Sequence, residues 1–296
     1  MTDGGTAPVA IQGDRGCNSE AAARRAFGEA VEILTCRTLQ DVFEELAAGH
    51  AAFAVVPVEN STAGSVVDTY DLLWEHSPAV VGEVVLRVRH ALMALPGVRL
   101  EEVRRVVSHP QALAQCRRFL RALGAEAVPA WDTAGSARWI AERGERDAAA
   151  LAPPLAAAIH GLEVLADGVE DAPGNATRFL VLARADGAGG GAGAWGGAGA
   201  AGGAKTTVGF VTEHRPGALY EALGSFARHG LNLTKIESRP DPAHPWHFRF
   251  FADVAGDAQK SPLREALAEL RAACREVRVF GSYAAWPEDQ GPAATT

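Results

Sequence analysis

The sequence predicts an α/β protein with a two-lobed domain over residues 8–185 and a small domain over residues 205–285. Three observations lead to this prediction. Short runs rich in β-branched residues alternate with helix-like segments in the first part of the chain. A tract rich in glycine and alanine then interrupts the chain at residues 186–204. Beyond it, strands and helices follow in the order βαββαβ, which is typical of the ferredoxin-like arrangement.

The first lobe is predicted to consist of residues 8–86 and 168–185. Its elements are expected at residues 9–11 (strand), 19–27 (helix), 31–34 (strand), 39–48 (helix), 53–58 (strand) and 80–88 (strand). The apolar run at residues 177–183, TRFLVLA, predicts a buried strand that completes the domain.

The second lobe is predicted to span residues 87–167. Its elements are expected at residues 103–107 (strand), 110–123 (helix), 126–128 (strand), 133–143 (helix) and 154–160 (helix). Pro110 suits the first turn of its helix, because a proline there gives up an N–H that lacks an intrahelical partner. Ser108 or His109 could cap this helix.

The tract after the second lobe has ten glycines between residues 187 and 204, and Trp195 is its only large apolar residue. Such a composition is typical of a flexible tether that does not fix the orientation of what it joins. Any coupling between the two domains is therefore expected to pass through direct contacts or subunit packing.

The C-terminal domain is predicted to contain two helices and four strands. They are expected at residues 206–212 (strand), 216–229 (helix), 232–238 (strand), 246–254 (strand), 262–274 (helix) and 276–283 (strand). A small sheet with helices on one face leaves an edge and a face open, so a homo-oligomer is expected. Residues 286–296 are predicted to form a disordered tail.

Composition excludes several classes of function. The 36 acidic and 28 basic residues give a formal net charge of −8, which opposes binding to nucleic acid. The four cysteines have no metal-ligand spacing, so we expect reduced thiols and no metal. The N-terminus lacks the features of a secretory leader, and no apolar stretch of about 18 residues occurs. A cytoplasmic protein with no membrane partner is expected.

Polar side chains gather at four predicted helix N-termini on the two lobes. Such termini present free N–H groups and the positive end of the helix dipole, which suit a carboxylate or phosphate. The same residue types also cap ordinary helices, and a lone histidine is often structural. The sequence favours an anion-binding cleft between the lobes. The residues at these termini are Asn18, Ser19, Glu59, Asn60, Ser61, Thr62, Ser65, Ser108, His109, Gln111, Asp132, Thr133 and Ser136.

A further candidate is the segment GNATRF at residues 174–179. Thr177 and Arg178 point to opposite faces if both lie in the strand. The planar guanidinium of Arg178 could grip a carboxylate through two hydrogen bonds. The alternative is a structural ion pair with a neighbour such as Glu170 or Asp171.

Taken in order, PVENSTAGSVVDTYDLL, SHPQALAQC, GNATRF, GALY and ESRP closely resemble the motifs of the prephenate dehydratase family. The resemblance implies a catalytic domain with two lobes of the periplasmic-binding-protein kind. It also implies a C-terminal ACT domain that binds phenylalanine at a dimer interface. The expected reaction is decarboxylative dehydration of prephenate to phenylpyruvate, without cofactor, in a homodimer or a dimer of dimers.

The same resemblance implies roles for individual residues. Thr177 is the expected catalytic residue, with Arg178 beside it. The expected substrate-binding residues are Glu59, Asn60, Ser61, Ser65, Ser108, His109, Gln111, Thr133, Asn175 and Phe179. The expected phenylalanine-binding residues are Gly217, Ala218, Leu219, Asn232, Leu233, Glu237, Ser238, Arg239 and Pro240.

Four residues depart from the family's pattern, and they concern the choice of substrate more than the reaction. Asp14 and Asn18 replace a proline and an aromatic residue in the first loop, and Asp132 and Ser136 are substituted near Trp131. Three alternatives to a prephenate dehydratase remain open. They are an arogenate dehydratase, a prephenate decarboxylase that keeps the hydroxyl, and a non-catalytic amino-acid sensor.

Overall fold

The structure is a computed structural model that describes residues 8–172, 174–187 and 203–287. Most of the predicted linker, including Trp195, and most of the predicted tail lie outside these ranges. The described chain forms three sheets, one in each lobe and one in the C-terminal domain. This confirms the predicted fold class.

The sheet of the first lobe has the strand order β2-β1-β3-β11-β5. Strand β1 runs parallel to β2 and β3, whereas β11 lies antiparallel between β3 and β5. The last strand of the catalytic domain therefore lies inside the first lobe's sheet, next to the edge strand β5. The elements of this lobe are β1 (Val9–Gln12), α1 (Asn18–Phe27), β2 (Ile33–Cys36), α2 (Leu39–Ala48), β3 (Phe53–Asn60), β4 (Gly64–Ser65), α3 (Val67–His76), β5 (Ala79–Arg87) and β11 (Ala176–Ala183).

The sheet of the second lobe has the strand order β10-β6-β9-β7-β8. Three of its strands were absent from the sequence prediction: β6, β9 and β10. The elements are β6 (Ala91–Ala94), β7 (Arg105–Ser108), α4 (Pro110–Gln115), α5 (Arg117–Leu123), β8 (Glu126–Pro129), α6 (Thr133–Arg143), β9 (Ala148–Ala152), α7 (Pro154–His160) and β10 (Glu163–Asp167).

The prediction of one continuous helix over residues 110–123 was wrong, because the helix breaks at Cys116. The loop that contains Asp171 contacts the chain at this break. The Asp171 N–H donates to Gln115 O (2.7 Å), and the Asp171 carboxylate accepts from the N–H of Arg118 (3.0 Å). Asp171 thus satisfies backbone groups on both sides of the break, so a second helix starts there.

The C-terminal domain has the predicted βαββαβ order and the strand order β13-β14-β12-β15. Its apolar core is formed by the helices and one face of the sheet, with Phe210 and Phe226 both almost fully buried. The elements are β12 (Ala204–Thr212), α8 (Ala218–Arg228), β13 (Leu233–Pro240), β14 (Phe248–Ala255), α9 (Leu263–Ala273) and β15 (Cys274–Ala284).

The other face of this sheet packs on the first lobe. Phe251 of β14 lies 5.1 Å from the Tyr70 ring and 5.9 Å from the Trp74 ring of α3, measured between centroids. A Cβ placed on Gly281 of β15 would lie only 2.0 Å from the carbonyl oxygen of Val80 in β5. The two domains therefore share an apolar cluster at their contact.

No helix within the described ranges is both long and apolar enough to cross a membrane.

Candidate functional site

A cleft between the two lobes contains two adjoining cavities of about 410 and 700 Å³. Both are lined by residues from the predicted helix N-termini of the two lobes. The shared lining residues are Asn18, Ser19, His109, Gln111 and Thr133. The smaller cavity also contains Thr177 and the apolar ring of Phe179. The structure thus brings together much of the predicted site.

The hydroxyl of Thr177 has a defined orientation in this cleft. Asn60 Nδ2 donates to Thr177 Oγ1 (2.9 Å), and Asn60 Oδ1 accepts the backbone N–H groups of Thr62 (3.0 Å) and Ala63 (2.9 Å). These two N–H donors fix which end of the Asn60 amide faces the threonine. Since Thr177 Oγ1 is an acceptor toward Asn60, its own proton is free to be donated elsewhere.

Asn175 joins this pair to the loop after β3. Its Oδ1 accepts from Asn60 Nδ2 (2.8 Å), Thr62 Oγ1 (3.2 Å) and Ser61 Oγ (3.4 Å). Ser61 Oγ in turn accepts the N–H of Ala176 (2.9 Å). These contacts hold the loop against the start of β11, so Ser61 acts here by positioning its neighbours.

The second lobe contributes helix N-termini. His109 caps α4, with its Nδ1 accepting the N–H of Gln111 (3.2 Å). At the start of α6, the Asp132 carboxylate accepts the N–H of Gly135 (3.1 Å), which leaves Thr133 in the cleft lining. Ser108 does not line either cavity: it is fully buried and donates to Leu151 O (2.6 Å).

Two of the residues that depart from the family's pattern form a contact between the lobes. The Asp14 N–H donates to Asp132 Oδ2 (3.3 Å), and the Asp14 carboxylate pairs with Arg138 of α6 (3.1 Å). Both carboxylates belong to the lining of the larger cavity. Ser136 is buried and donates to Asp132 O (2.6 Å), so its role is local.

The loop between β1 and α1 is held by a buried carboxylate. Glu20 accepts from Arg15 (2.9 Å), Arg24 (2.8 Å) and the N–H of Gly16 (2.8 Å). Burial alone would raise the pKa of Glu20, but these hydrogen bonds outweigh it and lower the pKa below the usual 4.5. In the same loop, burial raises the pKa of the Cys17 thiol to about 12.

Arg178 does not enter the cleft. As the strand alternation predicts, it points away from Thr177, but its partners are not the expected Glu170 or Asp171. Its guanidinium pairs instead with Asp253 of the C-terminal domain (2.6 Å) and Glu83 of β5 (3.0 Å). The expected role of Arg178 at the reacting atoms therefore does not fit its position.

Glu59 and Ser65 likewise contact the C-terminal domain. Glu59 pairs with Lys235 of β13 (2.9 Å) and is absent from the lining of both cavities. Ser65 lies at the edge of the smaller cavity, where it accepts from Lys235 Nζ (2.7 Å) and donates to the Glu237 carboxylate.

Sequence reasoning missed two cleft residues, His90 and Gln115. His90 is only 3% exposed, lines the smaller cavity and contacts Gln115 Oε1 through Nε2 (2.9 Å). The other ring nitrogen, Nδ1, has no hydrogen-bond partner among the described residues. Gln115 Oε1 also accepts from Asn175 Nδ2 (3.4 Å), which links His90 to Asn60 and Thr177. Gln115 belongs to the SHPQALAQC motif, which could have identified it from the sequence, whereas His90 lies outside all of the motifs.

The residues expected to bind phenylalanine lie in two separate places in one chain. Ala218 and Leu219 line a cavity of about 360 Å³ with His214, Arg215 and His247. Gly217 immediately precedes α8 and has a φ of 82°, a conformation that favours glycine. On β13, Glu237 and Arg239 face the first lobe, Arg239 pairing with Asp71 (2.6 Å).

The rest of this set lies at the solvent-facing side or the start of β13. Ser238, Pro240 and Asn232 are exposed, and Leu233 is half-buried. The cavity that Ala218 and Leu219 line has no lining residue from β13. The described residues also contain no group of three or more His, Cys, Asp or Glu side chains that could hold a metal ion.

These features define a class of protein: a two-lobed α/β enzyme with a polar cleft and a C-terminal βαββαβ domain packed against it. The sequence profile of prephenate dehydratase matches residues 9–187, and that of the ACT domain matches residues 206–272. The chain belongs to the prephenate dehydratase family.

Individual relatives agree with this assignment. The chain is 40% identical over 292 residues to arogenate dehydratase/prephenate dehydratase 2 of Arabidopsis thaliana, covering 96% of this chain and 74% of that protein. It also resembles the structure of prephenate dehydratase from Arthrobacter aurescens in complex with L-Phe. That match has 35% identity and a TM-score of 0.81, over 98% of this chain and 93% of the other.

One similar structure carries a different description. GqqA, described as a novel type of quorum quenching acylase, is 36% identical to this chain with a TM-score of 0.84. The match covers 94% of this chain and 98% of that one. The overall fold is therefore compatible with more than one stated activity, and the geometry of the cleft must decide between them.

Proposed function

We propose that this enzyme converts prephenate to phenylpyruvate, carbon dioxide and water in the formation of phenylalanine. The observation that carries the proposal is the position of the Thr177 hydroxyl in the cleft, where it accepts a hydrogen bond from Asn60. The Asn60 amide donates to Thr177 Oγ1 (2.9 Å), so the hydroxyl can donate its own proton into the cleft. A donor at that place can assist the departure of the substrate's ring hydroxyl.

The reaction has a simple electron balance. The bond between the ring and its carboxylate breaks, and carbon dioxide leaves. The electron pair of that bond enters the ring, and the bond from the ring to the hydroxyl breaks. The leaving oxygen takes a proton and becomes water. Since the ring becomes aromatic, the main task of the protein is to orient the substrate and stabilise the leaving oxygen.

Thr177 is a weak acid, so we assign it hydrogen bonding to the leaving oxygen rather than complete proton transfer in advance of bond breaking. The side chains of Gln111 and Thr133, at the starts of α4 and α6, supply neutral donors for the substrate's side-chain carboxylate. Val88 and Phe179 form an apolar part of the wall. There the ring carboxylate would be poorly solvated, which favours its loss.

Prephenate is the substrate that we propose first. Among the described residues that line the cavity around Thr177, none carries a carboxylate. The side-chain ammonium group of arogenate lies across the ring from the hydroxyl, so a charged partner for it would have to come from Asp14 or Asp132 of the larger cavity. The keto group of prephenate needs only neutral donors. The relative from Arabidopsis is named for both activities, so arogenate is the second substrate to test.

The cleft gives less support to a decarboxylase, a sensor or an acylase. A prephenate decarboxylase would have no need for a donor at the hydroxyl, and Thr177 and Asn60 supply one. An amino-acid sensor would have no need for that donor either. An acylase that uses Thr177 as nucleophile needs a neighbouring base, but the described hydrogen-bond partner of this hydroxyl is the Asn60 amide.

We further propose that phenylalanine regulates the enzyme through the C-terminal domain. Since the two halves of the expected binding set lie apart in one chain, a site built across a dimer of these domains is the simplest arrangement. Phenylalanine can regulate only by binding one state of the dimer more tightly than another. We also propose that the enzyme is located in the cytoplasm.

The test compares the wild type with Thr177→Ala on prephenate and on arogenate. We expect phenylpyruvate from prephenate, measured by its absorbance, and loss of this activity in the variant. Release of carbon dioxide without formation of an aromatic ring would identify a decarboxylase instead. Phenylalanine from arogenate at a higher kcat/KM than phenylpyruvate from prephenate would reverse the choice of substrate.

A further inference from the structure

Strands β3 and β11 present one pair of residues to the cleft and the next pair to the C-terminal domain. In the antiparallel register, Thr177 lies opposite Asn60, and Arg178 lies opposite Glu59. Thr177 and Asn60 meet in the cleft through a hydrogen bond of 2.9 Å. Arg178 and Glu59, one residue away on each strand, contact the C-terminal domain. On each strand, a single peptide unit therefore joins a residue of the cleft (Thr177 or Asn60) to a residue that contacts the C-terminal domain (Arg178 or Glu59).

Arg178 is buried among carboxylates from both domains. Its side chain is 12% exposed, and those of Glu83 and Asp253 are 1% and 5% exposed. The guanidinium lies 2.6 Å from Asp253, 3.0 Å from Glu83 and 3.6 Å from Glu59. Burial opposes the charge on Arg178, but Asp253 and Glu83 outweigh it and raise the pKa of the guanidinium well above its usual range.

Of these three carboxylates, Asp253 is the one that forms no ion pair with another cation of the described residues. Glu83 also pairs with Lys205 (2.6 Å) and accepts the N–H of Trp286 (2.8 Å). Glu59 also pairs with Lys235 (2.9 Å). Asp253 uses Oδ1 to accept from the hydroxyl of Thr207 (2.7 Å), and Oδ2 faces Arg178. Within the described ranges, Arg178 is its one ion-pair partner.

We propose that Asp253 of the C-terminal domain is a positioning residue for the reaction, holding Arg178 so that β11 presents the Thr177 hydroxyl correctly to the substrate. The C-terminal domain is then part of the catalytic structure as well as a regulatory domain. This inference rests on the proposed function of Thr177. It does not depend on which effector the C-terminal domain binds.

The test is Asp253→Asn, which keeps the size of the side chain and the hydrogen bond from Thr207 but removes the charge. Without its charged partner, a buried arginine shifts toward other carboxylates or water, and β11 shifts with it. We expect kcat to fall about 10- to 100-fold, because small misplacements of a catalytic group have effects of that order. KM for prephenate should change less than about threefold, because Asp253 does not touch the cleft.

Asp71→Asn is the control for loss of a contact between the two domains, at a more exposed carboxylate (42% against 5% for Asp253). It also removes a carboxylate from an ion pair between the two domains, that with Arg239, but on α3 rather than on β11. We expect its kcat to stay within about twofold of the wild type. Equal losses in the two variants would overturn the proposal, because general loosening of the domain contact would then explain both.

Two further measurements separate positioning from a merely structural effect. In the Thr177→Ala background, Asp253→Asn should lower the residual kcat less than about twofold, since the group that it positions is gone. An undiminished effect there would contradict the proposal. Asp253→Glu, which restores the charge, should recover part of the lost kcat.

Hydrogen exchange distinguishes failure of this inference from failure of the proposed function. Asp253→Asn should speed amide exchange in the peptide that contains Thr177, and Asp71→Asn should not. This readout does not depend on the reaction. If the wild type dehydrates neither prephenate nor arogenate, the proposed function fails, and exchange still decides whether Asp253 holds β11. Unchanged exchange in Asp253→Asn would refute the inference even in an active enzyme.

Discussion

Asn60→Asp is the sharpest test of how the Thr177 proton is used. The change replaces the Nδ2 group with a carboxylate oxygen at nearly the same place. That oxygen would lie about 2.9 Å from Thr177 Oγ1, 2.8 Å from Asn175 Oδ1 and 3.2 Å from Ala176 O. The last two atoms are carbonyl oxygens, which accept hydrogen bonds and cannot donate them. The carboxylate would therefore take its hydrogen bond from the Thr177 hydroxyl.

The magnitude follows from the loss of that one donor. Removing a single positioned donor to developing negative charge costs about 100- to 1,000-fold in kcat, or about 2.7–4 kcal/mol. We expect Asn60→Asp to lose as much as Thr177→Ala. A negative charge beside a dianionic substrate should raise KM as well. Thr177→Ser, which keeps a hydroxyl, is the control and should stay within about tenfold of the wild type.

The assay is steady-state formation of phenylpyruvate, with circular dichroism and thermal unfolding to show that each variant is folded. If Asn60 acts through Thr177, the two changes are not additive. In the Thr177→Ala background, Asn60→Asp should then reduce kcat by less than about tenfold. Full activity in Asn60→Asp, or losses that multiply in the double variant, would refute the argument that Asn60 directs this proton.

Three other predictions concern single residues. The Cys17 thiol, with its pKa raised to about 12 by burial, should resist iodoacetamide at pH 8 in the folded enzyme and react after unfolding, as mass spectrometry can show. Glu20 has a lowered pKa, so its contribution to stability is complete above about pH 4.5 and is lost as the pH falls through the folded-state value. Urea unfolding should show this loss in the wild type and less of it in Glu20→Gln. His90→Phe removes the hydrogen bond to Gln115, worth about 1 kcal/mol, and should lower kcat/KM for prephenate about fivefold, whereas an unchanged value would exclude His90 from the network.

Local patterns predicted much of the fold and part of the site. Strand alternation correctly placed Thr177 and Arg178 on opposite faces of β11, because the period of a strand is two residues. It could not identify the partners of Arg178, since Glu83 and Asp253 lie far away in sequence and come together only in the folded protein. The expected partner Asp171 instead caps the second half of a broken helix.

The missed elements have similar causes. Strand β9, with the sequence AAALA, consists of residues that favour helices and is buried on both faces, so no alternation marks it as a strand. Its place between β6 and β7 in the sheet overrides that preference. His90 follows Arg87 and Arg89 in the short connection between β5 and β6, and no motif marks it in the sequence. Its partner Gln115, the last residue of α4, lies 25 residues further along the chain.

The close approach of Gly281 to Val80 constrains how this chain can be redesigned. Even the methyl group of alanine would meet the Val80 carbonyl at 2.0 Å, and that atom is backbone rather than a flexible side chain. A chimera that joins this ACT domain to another catalytic domain must therefore keep a glycine at this position and an equally close strand opposite it. Changing the length of the connecting tract would not relax this requirement, because it arises where the two backbones meet.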